Sequence, residues 1–144
     1  MVRKAGKEDL EILAQLAVLL WSQHSVQALR NEFSEVLATA RGVFFLKLDR
    51  EKPVGFAQCQ LRHDYVEGTG SSPVGYLEGI FVQPEYRRRG YGKELLRACE
   101  NWASAMGCKE FASDCQLDNE ASYRFHLRAG FSEANRIICL IKKL

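Results

Sequence analysis

The segment GYLEGIFVQPEYRRRGYGKELL, from Gly75 to Leu96, constrains the fold more than any other part of the chain. It begins with an apolar run typical of a buried strand, passes through a polar loop and continues as an amphipathic helix that starts near Gly90. The first N–H groups of a helix have no acceptor within it, and the helix dipole adds partial positive charge there. Gly90 and Gly92 would let an anion approach these groups, because neither has a side chain. The segment therefore predicts a phosphate-binding turn between a strand and a helix.

Single residues exclude two common classes of nucleotide-binding loop. The nucleoside-triphosphate loop, G-x-x-x-x-G-K-[ST], needs a hydroxyl after its lysine, whereas Glu94 follows Lys93 here. The dinucleotide loop, G-x-G-x-x-G, needs a third glycine where this chain has Leu95. The turn therefore suits a diphosphate of another kind. Its neighbours would add positive charge, although arginine runs are often only solvated surface; they are Arg87, Arg88 and Arg89.

The net charge of the chain, +2, is too small to predict binding to nucleic acid, so the arginine run is a local feature. The first residues, MVRKAGKEDLEIL, lack the apolar stretch of a signal peptide. No stretch reaches the ~18 apolar residues that span a bilayer. We therefore expect a cytoplasmic protein with no nucleic acid or membrane partner.

The five cysteines are odd in number and form no C-x-x-C pair, which favours neither a disulfide framework nor a zinc site. We expect reduced, mostly buried thiols and no bound metal. The cysteines are Cys59, Cys99, Cys108, Cys115 and Cys139.

Hydrophobic periodicity predicts six strands and four helices in the order β-α-α-β-β-β-α-β-α-β. This order is typical of an α+β fold with a mixed, mainly antiparallel sheet. The length of 144 residues predicts one domain, residues 1–144. The predicted strands are residues 2–4, 42–48, 54–66, 75–82, 109–113 and 136–141, and the predicted helices are residues 7–21, 27–40, 91–106 and 120–129.

A carboxylate interrupts the apolar strand at Glu78, where burial without a partner would cost several kcal/mol. Arg62 or His63 on the preceding strand could neutralise it. Alternatively, Glu78 could accept a proton from an amine substrate, because an alkylamine titrates near ~10 and is not nucleophilic until it loses that proton. Gly79 favours a β-bulge beside it. Strand alternation would place Leu77 and Phe81 on one side and the other residues of the strand on the opposite side: Tyr76, Glu78, Ile80 and Val82.

Arg87, Gly90 and Gly92 match R-x-x-G-x-G, the signature of the GNAT acetyltransferase superfamily. The segment NEASYRFHLRAGF, residues 119–131, also resembles the family pattern N-x-x-A-x-x-x-Y-x-x-x-G-F. His126 occupies the tyrosine position that often supplies the general acid, and Tyr123 lies one helical turn before it. The resemblance implies that acetyl-CoA is the cosubstrate and lies where the sheet is splayed. The residues that it implies for cofactor binding are Ile80, Phe81, Val82, Arg87, Arg88, Arg89, Gly90, Tyr91, Gly92, Lys93 and Asn119.

Three stretches are similar to bacterial aminoglycoside 6'-N-acetyltransferases: Arg62–Val82, the pair Leu20–Trp21 and the triplet Ala112–Asp114. This resemblance implies acetyl transfer from acetyl-CoA to the 6'-amine of the drug by direct attack, in an enzyme that confers antibiotic resistance and is a homodimer. Carboxylates and aromatic faces suit such a polycationic substrate. Asn135 stands where several relatives carry a glutamate. The implied catalytic residues are Glu78, Asp114 and His126, and the implied substrate contacts are Trp21, Tyr65, Glu78, Asp114 and Asn135.

Two other functions are compatible with the same residues. The chain could acetylate a protein N-terminus, a lysine or a polyamine, or it could bind acyl-CoA without turnover as a sensor. Glu78 argues against the sensor, since a module that only binds has no need of a costly carboxylate. A covalent route through Cys115 is disfavoured, because no adjacent histidine would activate the thiol.

Overall fold

A computed structural model describes all residues, 1–144, and its elements follow the predicted order up to the fourth helix. The helices are α1 (Leu10–Leu20), α2 (Val26–Thr39), α3 (Tyr91–Ala105) and α4 (Glu120–Arg128), with short 3-10 helices at Lys7–Asp9 and Pro84–Tyr86. The strands are β1 (Val2–Lys4), β2 (Gly42–Asp49), β3 (Lys52–Arg62), β4 (Val74–Val82) and β5 (Phe111–Ser113).

The five strands form one sheet in the order β1-β2-β3-β4-β5. The first three pairings are antiparallel, and β5 joins β4 in parallel through α3. The fold is therefore the predicted α+β arrangement with a mixed, mainly antiparallel sheet. No helix combines the length and apolarity that a membrane crossing requires.

Two hydrophobic clusters hold helices on opposite faces of the sheet. On one face, α1 and α2 pack their apolar sides against Phe44, Leu46 and Phe56. On the other face, α3 buries Leu95 and Cys99 against neighbouring strands, and Phe125 of α4 packs onto the same cluster. The sheet thus separates an α1/α2 side from an α3/α4 side, and a residue of β4 or β5 faces one or the other.

A β-bulge at Glu78 reverses the side-chain alternation of β4. Gln58 pairs with Gly79, but the next residue, Cys59, pairs with Leu77, so Glu78 is the extra residue. Leu77 consequently lies in the α3/α4 cluster, whereas Phe81 lies in the α1/α2 cluster. The predicted bulge is present, and the prediction that Leu77 and Phe81 share a side is wrong because the extra residue shifts the alternation by one.

The β2–β3 turn is shorter than predicted. It consists of Arg50 and Glu51, both with positive φ (47° and 69°), and β3 ends at Arg62 rather than at Val66. Positive φ at both central residues is the geometry of a two-residue hairpin that matches the twist of the strands. The composition of this turn gives no sign of it, because such turns usually contain Asn or Gly.

The predicted sixth strand, residues 136–141, does not form. Residues 131–144 have no regular secondary structure, and Ile141 is 93% exposed. The apolar pattern of RIICLI is that of a strand, but a strand needs a neighbour, and this segment pairs with no strand of its own chain. We call residues 136–144 the C-terminal tail. Its exposed apolar side chains are Ile137, Ile138, Leu140, Ile141 and Leu144.

All five cysteines are free thiols. Cys59 and Cys99 are buried between β3 and α3, but Cys139 is exposed on the C-terminal tail and the other two are partly exposed. The prediction that most of the thiols are buried is therefore wrong, because Cys139 lies on the exposed tail and Cys108 and Cys115 lie outside the helices and strands.

Candidate active site

The turn before α3 presents main-chain N–H groups that have no acceptor. Gly90 is the N-cap with φ 81°, and no side chain caps the helix. From Arg88 to Lys93, no main-chain N–H group donates to a protein atom, and the first N–H group with an acceptor is that of Glu94, which bonds the Gly90 carbonyl at 3.1 Å. A Cβ at Gly90 would meet nothing within 4 Å. The turn is therefore open and lined by free donors, which fits a diphosphate.

Two of the three arginine side chains bond within the protein rather than point into this turn. Arg87 donates through Nε to the Val82 carbonyl at 2.8 Å, which ties the end of β4 to the loop. Arg89 lies 3.9 Å from Asp49 and donates to the Glu85 carbonyl. Arg88, with φ 62°, bonds to no side chain. Direct contact with a diphosphate would thus come mainly from the main chain.

A buried lysine that the sequence reasoning missed holds the first turn of α3 in place. Lys47 of β2 is 4% exposed, pairs with Glu94 and lies 4.1 Å from the centre of the Tyr91 ring. Burial by itself lowers the pKa of Lys47, but the Glu94 carboxylate and the chain's amino terminus outweigh it, so the pKa is raised. Tyr91 in turn donates to Asp49 at 3.1 Å. A lysine within the apolar run GVFFLKL was the signal that could have found this anchor.

Glu78 forms a bidentate ion pair with Arg62. Nε and Nη2 of Arg62 lie 2.9–3.1 Å from the carboxylate oxygens, whereas His63 makes no such contact. Burial raises the pKa of the Glu78 carboxyl, and the Arg62 guanidinium opposes that rise without cancelling it. Of the two partners considered from the sequence, Arg62 is the one present, and the carboxylate remains a stronger proton acceptor than an exposed one.

Arg62 and Tyr76 connect Glu78 to the second predicted carboxylate, Asp114. The Arg62 guanidinium lies 3.4 Å from the centre of the Tyr76 ring, and the Tyr76 hydroxyl donates to Asp114. Burial and the Asp114 carboxylate together raise the pKa of Tyr76, so its phenol stays protonated. The structure thus brings Glu78 and Asp114 into one network through two residues that had not been singled out as site residues.

A cavity of about 340 Å³ opens beside this network on the α1/α2 side of the sheet. Trp21 forms one wall, edge-on to Phe33 and Phe56 with ring centres 6.4 and 6.0 Å away. A Cβ at Gly79 would lie 2.5 Å from the Trp21 ring, so only glycine allows this approach. The lining residues are Trp21, His24, Leu29, Glu32, Gln58, Gln60, Arg62 and Glu78.

Tyr65 and Asn135 lie apart from that cavity. Tyr65 is 77% exposed and donates to Glu67 at 3.4 Å. Asn135, which follows α4, donates to the other oxygen of Glu67 at 3.0 Å and so joins Tyr65 and Glu67 of the β3–β4 loop in one group. None of the three makes a hydrogen bond to Glu78 or Asp114. Their roles in substrate binding remain predictions.

On the α3/α4 side, His126 lies at the end of β5. Its Nε2 is 2.8 Å from the Ser113 hydroxyl, and its Nδ1 is 2.7 Å from the Ser122 carbonyl oxygen. Asn119 caps α4 by accepting from the Ser122 N–H at 3.1 Å. Tyr123 donates to Glu133 at 2.9 Å, and this bond raises the pKa of Tyr123. Ser113 is a further residue that the sequence reasoning missed.

The protein contains no group of three or more histidine, cysteine or acidic side chains arranged to hold a metal ion. The polar groups around the site are hydrogen-bond donors to an anion on one side and carboxylates on the other. This arrangement can bind a diphosphate and an amine at opposite ends of the gap between β4 and β5.

Comparison with known proteins agrees with this geometry. Residues 10–131 match the family model described as the acetyltransferase (GNAT) family. The chain is 40% identical over 138 residues to an aminoglycoside N(6')-acetyltransferase type 1 from Stenotrophomonas maltophilia, which covers 95% of this chain and 89% of that protein. It is 38% identical to the protein of the same name from Salmonella enteritidis, over 99% of this chain and 98% of that protein.

A solved structure extends the similarity to three dimensions. The structure of AAC(6')-Iy in complex with the bisubstrate analogue CoA-S-monomethyl-acetylneamine matches 100% of this chain and 98% of that chain, at 38% identity and a TM-score of 0.96. The family match, the identity over nearly the whole chain and the shared fold lead to one conclusion: this chain belongs to the GNAT acetyltransferase family.

Proposed function

We propose that this protein transfers the acetyl group of acetyl-CoA to the 6'-amine of aminoglycosides. The observation that carries the proposal is the similarity over the whole chain, at 38% identity and a TM-score of 0.96, to AAC(6')-Iy, whose structure is in complex with the bisubstrate analogue CoA-S-monomethyl-acetylneamine. Curated relatives at 38–40% identity are named for the same activity. Antibiotic resistance is the role that such an activity would serve.

The turn before α3 binds the cosubstrate. The free N–H groups from Arg88 to Lys93 hold the diphosphate of coenzyme A, and the gap beside Ile80, Phe81 and Val82 takes its pantetheine arm. Asn119 borders the same gap at the start of α4. Lys47 contributes indirectly, because its ion pair with Glu94 fixes the turn from which these N–H groups point.

Two carboxylates prepare the acceptor. Bound acetyl-CoA supplies a thioester carbonyl that a neutral amine can attack. Glu78 accepts a proton from the substrate ammonium, and its raised pKa suits it to that task. Asp114 holds the ammonium from the other end of the Arg62–Tyr76 bridge. Arg62 occupies the position beside Glu78 that the cationic substrate approaches, so the substrate must displace it or share the carboxylate.

Aromatic and polar side chains select a polycationic sugar. Trp21 offers an aromatic face at the cavity, which suits both cations and sugar rings. Tyr65, Glu67 and Asn135 form an exposed edge that could reach more distant rings of the drug. His126, which the resemblance implies, is favoured over Tyr123 as the source of the proton that the departing sulfur takes up, because Tyr123 already donates to Glu133.

The protein is a homodimer in this proposal, joined through the C-terminal tail. The tail exposes a run of apolar side chains, and β5 is an edge strand with β4 on one side only. Each copy therefore has both a strand-like segment without a neighbour and a free sheet edge. In a dimer, the C-terminal tail of each copy pairs with the β5 edge of the other copy. A cytoplasmic location is supported by the five free thiols, which a reducing compartment preserves.

An acceptor panel tests the activity. We expect thiol release from acetyl-CoA with neomycin but not with paromomycin, since these drugs differ only in carrying an amine or a hydroxyl at the 6' position. Spermidine and a lysine peptide serve as competing acceptors, and mass spectrometry locates the acetyl group. Turnover of the peptide or of spermidine alone would overturn the assignment.

The phosphate turn is tested by two matched glycine variants of α3. Gly90 and Gly107 end the same helix, both have positive φ (81° and 89°), and a Cβ at either would meet no atom within 4 Å. Both changes to alanine should cost about 1 kcal/mol of backbone strain. Only Gly90→Ala should weaken coenzyme A binding by calorimetry, because it displaces the N–H groups of the turn. Equal affinity of the two variants for coenzyme A would contradict the proposed role of the phosphate turn.

The pH dependence of turnover tests Glu78. Glu78 works as the carboxylate, so activity is present above its pKa and is lost as the pH falls through that value, which lies above the ordinary 4.5. Arg62→Met removes a charge that lowers this pKa, so the acidic limb of kcat/KM should move to higher pH. Arg97→Met, an exposed change on α3, should leave the limb in place. Glu78→Gln should abolish the limb and lower kcat, and an unmoved limb in Arg62→Met would show that Glu78 is not the base.

Sedimentation velocity tests the dimer. The full chain should sediment as a dimer, and a chain ending at Asn135 should sediment as a monomer because it lacks the apolar tail. The double change Lys142→Gln and Lys143→Gln keeps the apolar side chains and should remain dimeric. A dimeric truncated chain would place the interface elsewhere.

A further inference from the structure

Ser113 stands where β4 and β5 part. The last pair of the parallel ladder joins Leu77 to Ser113, and the next residue of β4 is the bulged Glu78. The Ser113 hydroxyl lies 3.4 Å from the Leu77 carbonyl oxygen, so it faces the narrow end of the gap between the strands. The thioester of a cosubstrate held in this gap would approach the same point.

The contacts of His126 define which of its ring nitrogens carries the proton. A carbonyl oxygen can only accept, so Nδ1, 2.7 Å from the Ser122 carbonyl, is the N–H donor. In the neutral ring Nε2 is then a bare acceptor, and the Ser113 hydroxyl donates to it across 2.8 Å. Phe125 and Phe131 flank the ring, with ring centres 5.7 and 5.1 Å away. A serine hydroxyl bonded to an oriented, neutral imidazole is a ready proton acceptor.

We infer that Ser113 is a catalytic residue that carries a proton from the attacking nitrogen to His126 and back to the sulfur of coenzyme A. The inference rests on the proposed acetyl transfer. As the new C–N bond forms, Ser113 Oγ takes a proton from the nitrogen and passes its own proton to Nε2 of His126. As the C–S bond breaks, Ser113 donates a proton to the sulfur and regains one from His126. The nitrogen loses one proton, the sulfur gains one, and the Ser113–His126 pair returns to its starting state.

This route separates two protons that leave the substrate. The first, from the ammonium, goes to Glu78 on the α1/α2 side and on to solvent. The second stays within the Ser113–His126 pair until the thiol forms. Of the other hydroxyls, Tyr76 donates to Asp114, Tyr123 donates to Glu133, and that of Ser122 lies 3.4 Å from Nδ1, the ring nitrogen of His126 that faces away from Ser113. His126 acts through Ser113 and is a positioning and storage group rather than one that touches the thioester.

The hydrogen-bond directions are tested in the free protein, independently of any acceptor. In ¹⁵N-histidine-labelled protein, the His126 resonances are assigned by comparison with His126→Gln. We expect Nδ1 to be protonated and Nε2 to have the chemical shift of an unprotonated nitrogen. A protonated Nε2 in the neutral ring would overturn the inference, because Ser113 could not then donate to it.

Kinetics test the relay. With neomycin and acetyl-CoA, Ser113→Ala should lower kcat roughly 100-fold, as expected for loss of one acid–base group, with coenzyme A affinity measured by calorimetry unchanged. Ser113→Thr keeps the hydroxyl and should recover most of the rate, and the exposed helix serine variant Ser104→Ala should match the unaltered protein. The ratio of variant to parent rates tests Ser113, whereas absence of neomycin turnover by the parent would refute the proposed function instead.

Three results would overturn the role of Ser113. One is a Ser113→Ala protein with nearly the parent kcat. Another is a Ser113→Thr protein as slow as Ser113→Ala, which would show that side-chain shape and not the hydroxyl matters. The third is an acetyl group on Ser113 in protein quenched after mixing with acetyl-CoA alone, since the residue would then be a nucleophile.

Discussion

The parting of β4 from β5 is the constraint on which the rest of the site depends. An extra residue at Glu78 reverses the alternation of β4 directly after the last β4–β5 pair. Beyond that point β4 pairs with β3 but no longer with β5, and Arg87 donates to the Val82 carbonyl at the end of the strand. The gap that results joins the free N–H groups before α3 to the carboxylates near the bulge. In the proposed function, cofactor and acceptor therefore meet at a place set by main-chain geometry.

Charge inside the sheet is permitted here because each charged group has a partner. Lys47 pairs with Glu94, and Glu78 pairs with Arg62. Removing two ions from water is costly, and a pair of this kind often adds little net stability. The two pairs are better understood through what they position: Lys47 fixes the first turn of α3, and Arg62 links Glu78 to Tyr76 and Asp114. Burial still dominates at Glu78, where it raises the pKa despite the arginine.

The sequence predicted most of the elements because their patterns are local. β1 matches its predicted bounds, and α1 to α4 match within a few residues. The open turn with free N–H groups before α3 was predictable because glycine and helix termini have fixed properties. Arg62 was predicted only as one of two possible partners of Glu78. Tyr76 and Ser113 were not predictable, since their contacts with Asp114 and Leu77 span 38 and 36 residues. RIICLI failed as a strand for the same reason: its pattern describes a strand, but its own chain provides no edge that it pairs with.

Neighbouring residues at the end of β5 make contacts on opposite faces of the sheet. Adjacent side chains of an extended chain point to opposite faces. Asp114 accordingly meets Tyr76 on the α1/α2 side, while Ser113 meets His126 on the α3/α4 side. In the proposed reaction, a proton released toward Glu78 can reach solvent through the cavity that Trp21 borders. In the proposed relay, a proton passed to His126 enters a ring flanked by Phe125 and Phe131, which favours its return to the departing sulfur over its loss to water.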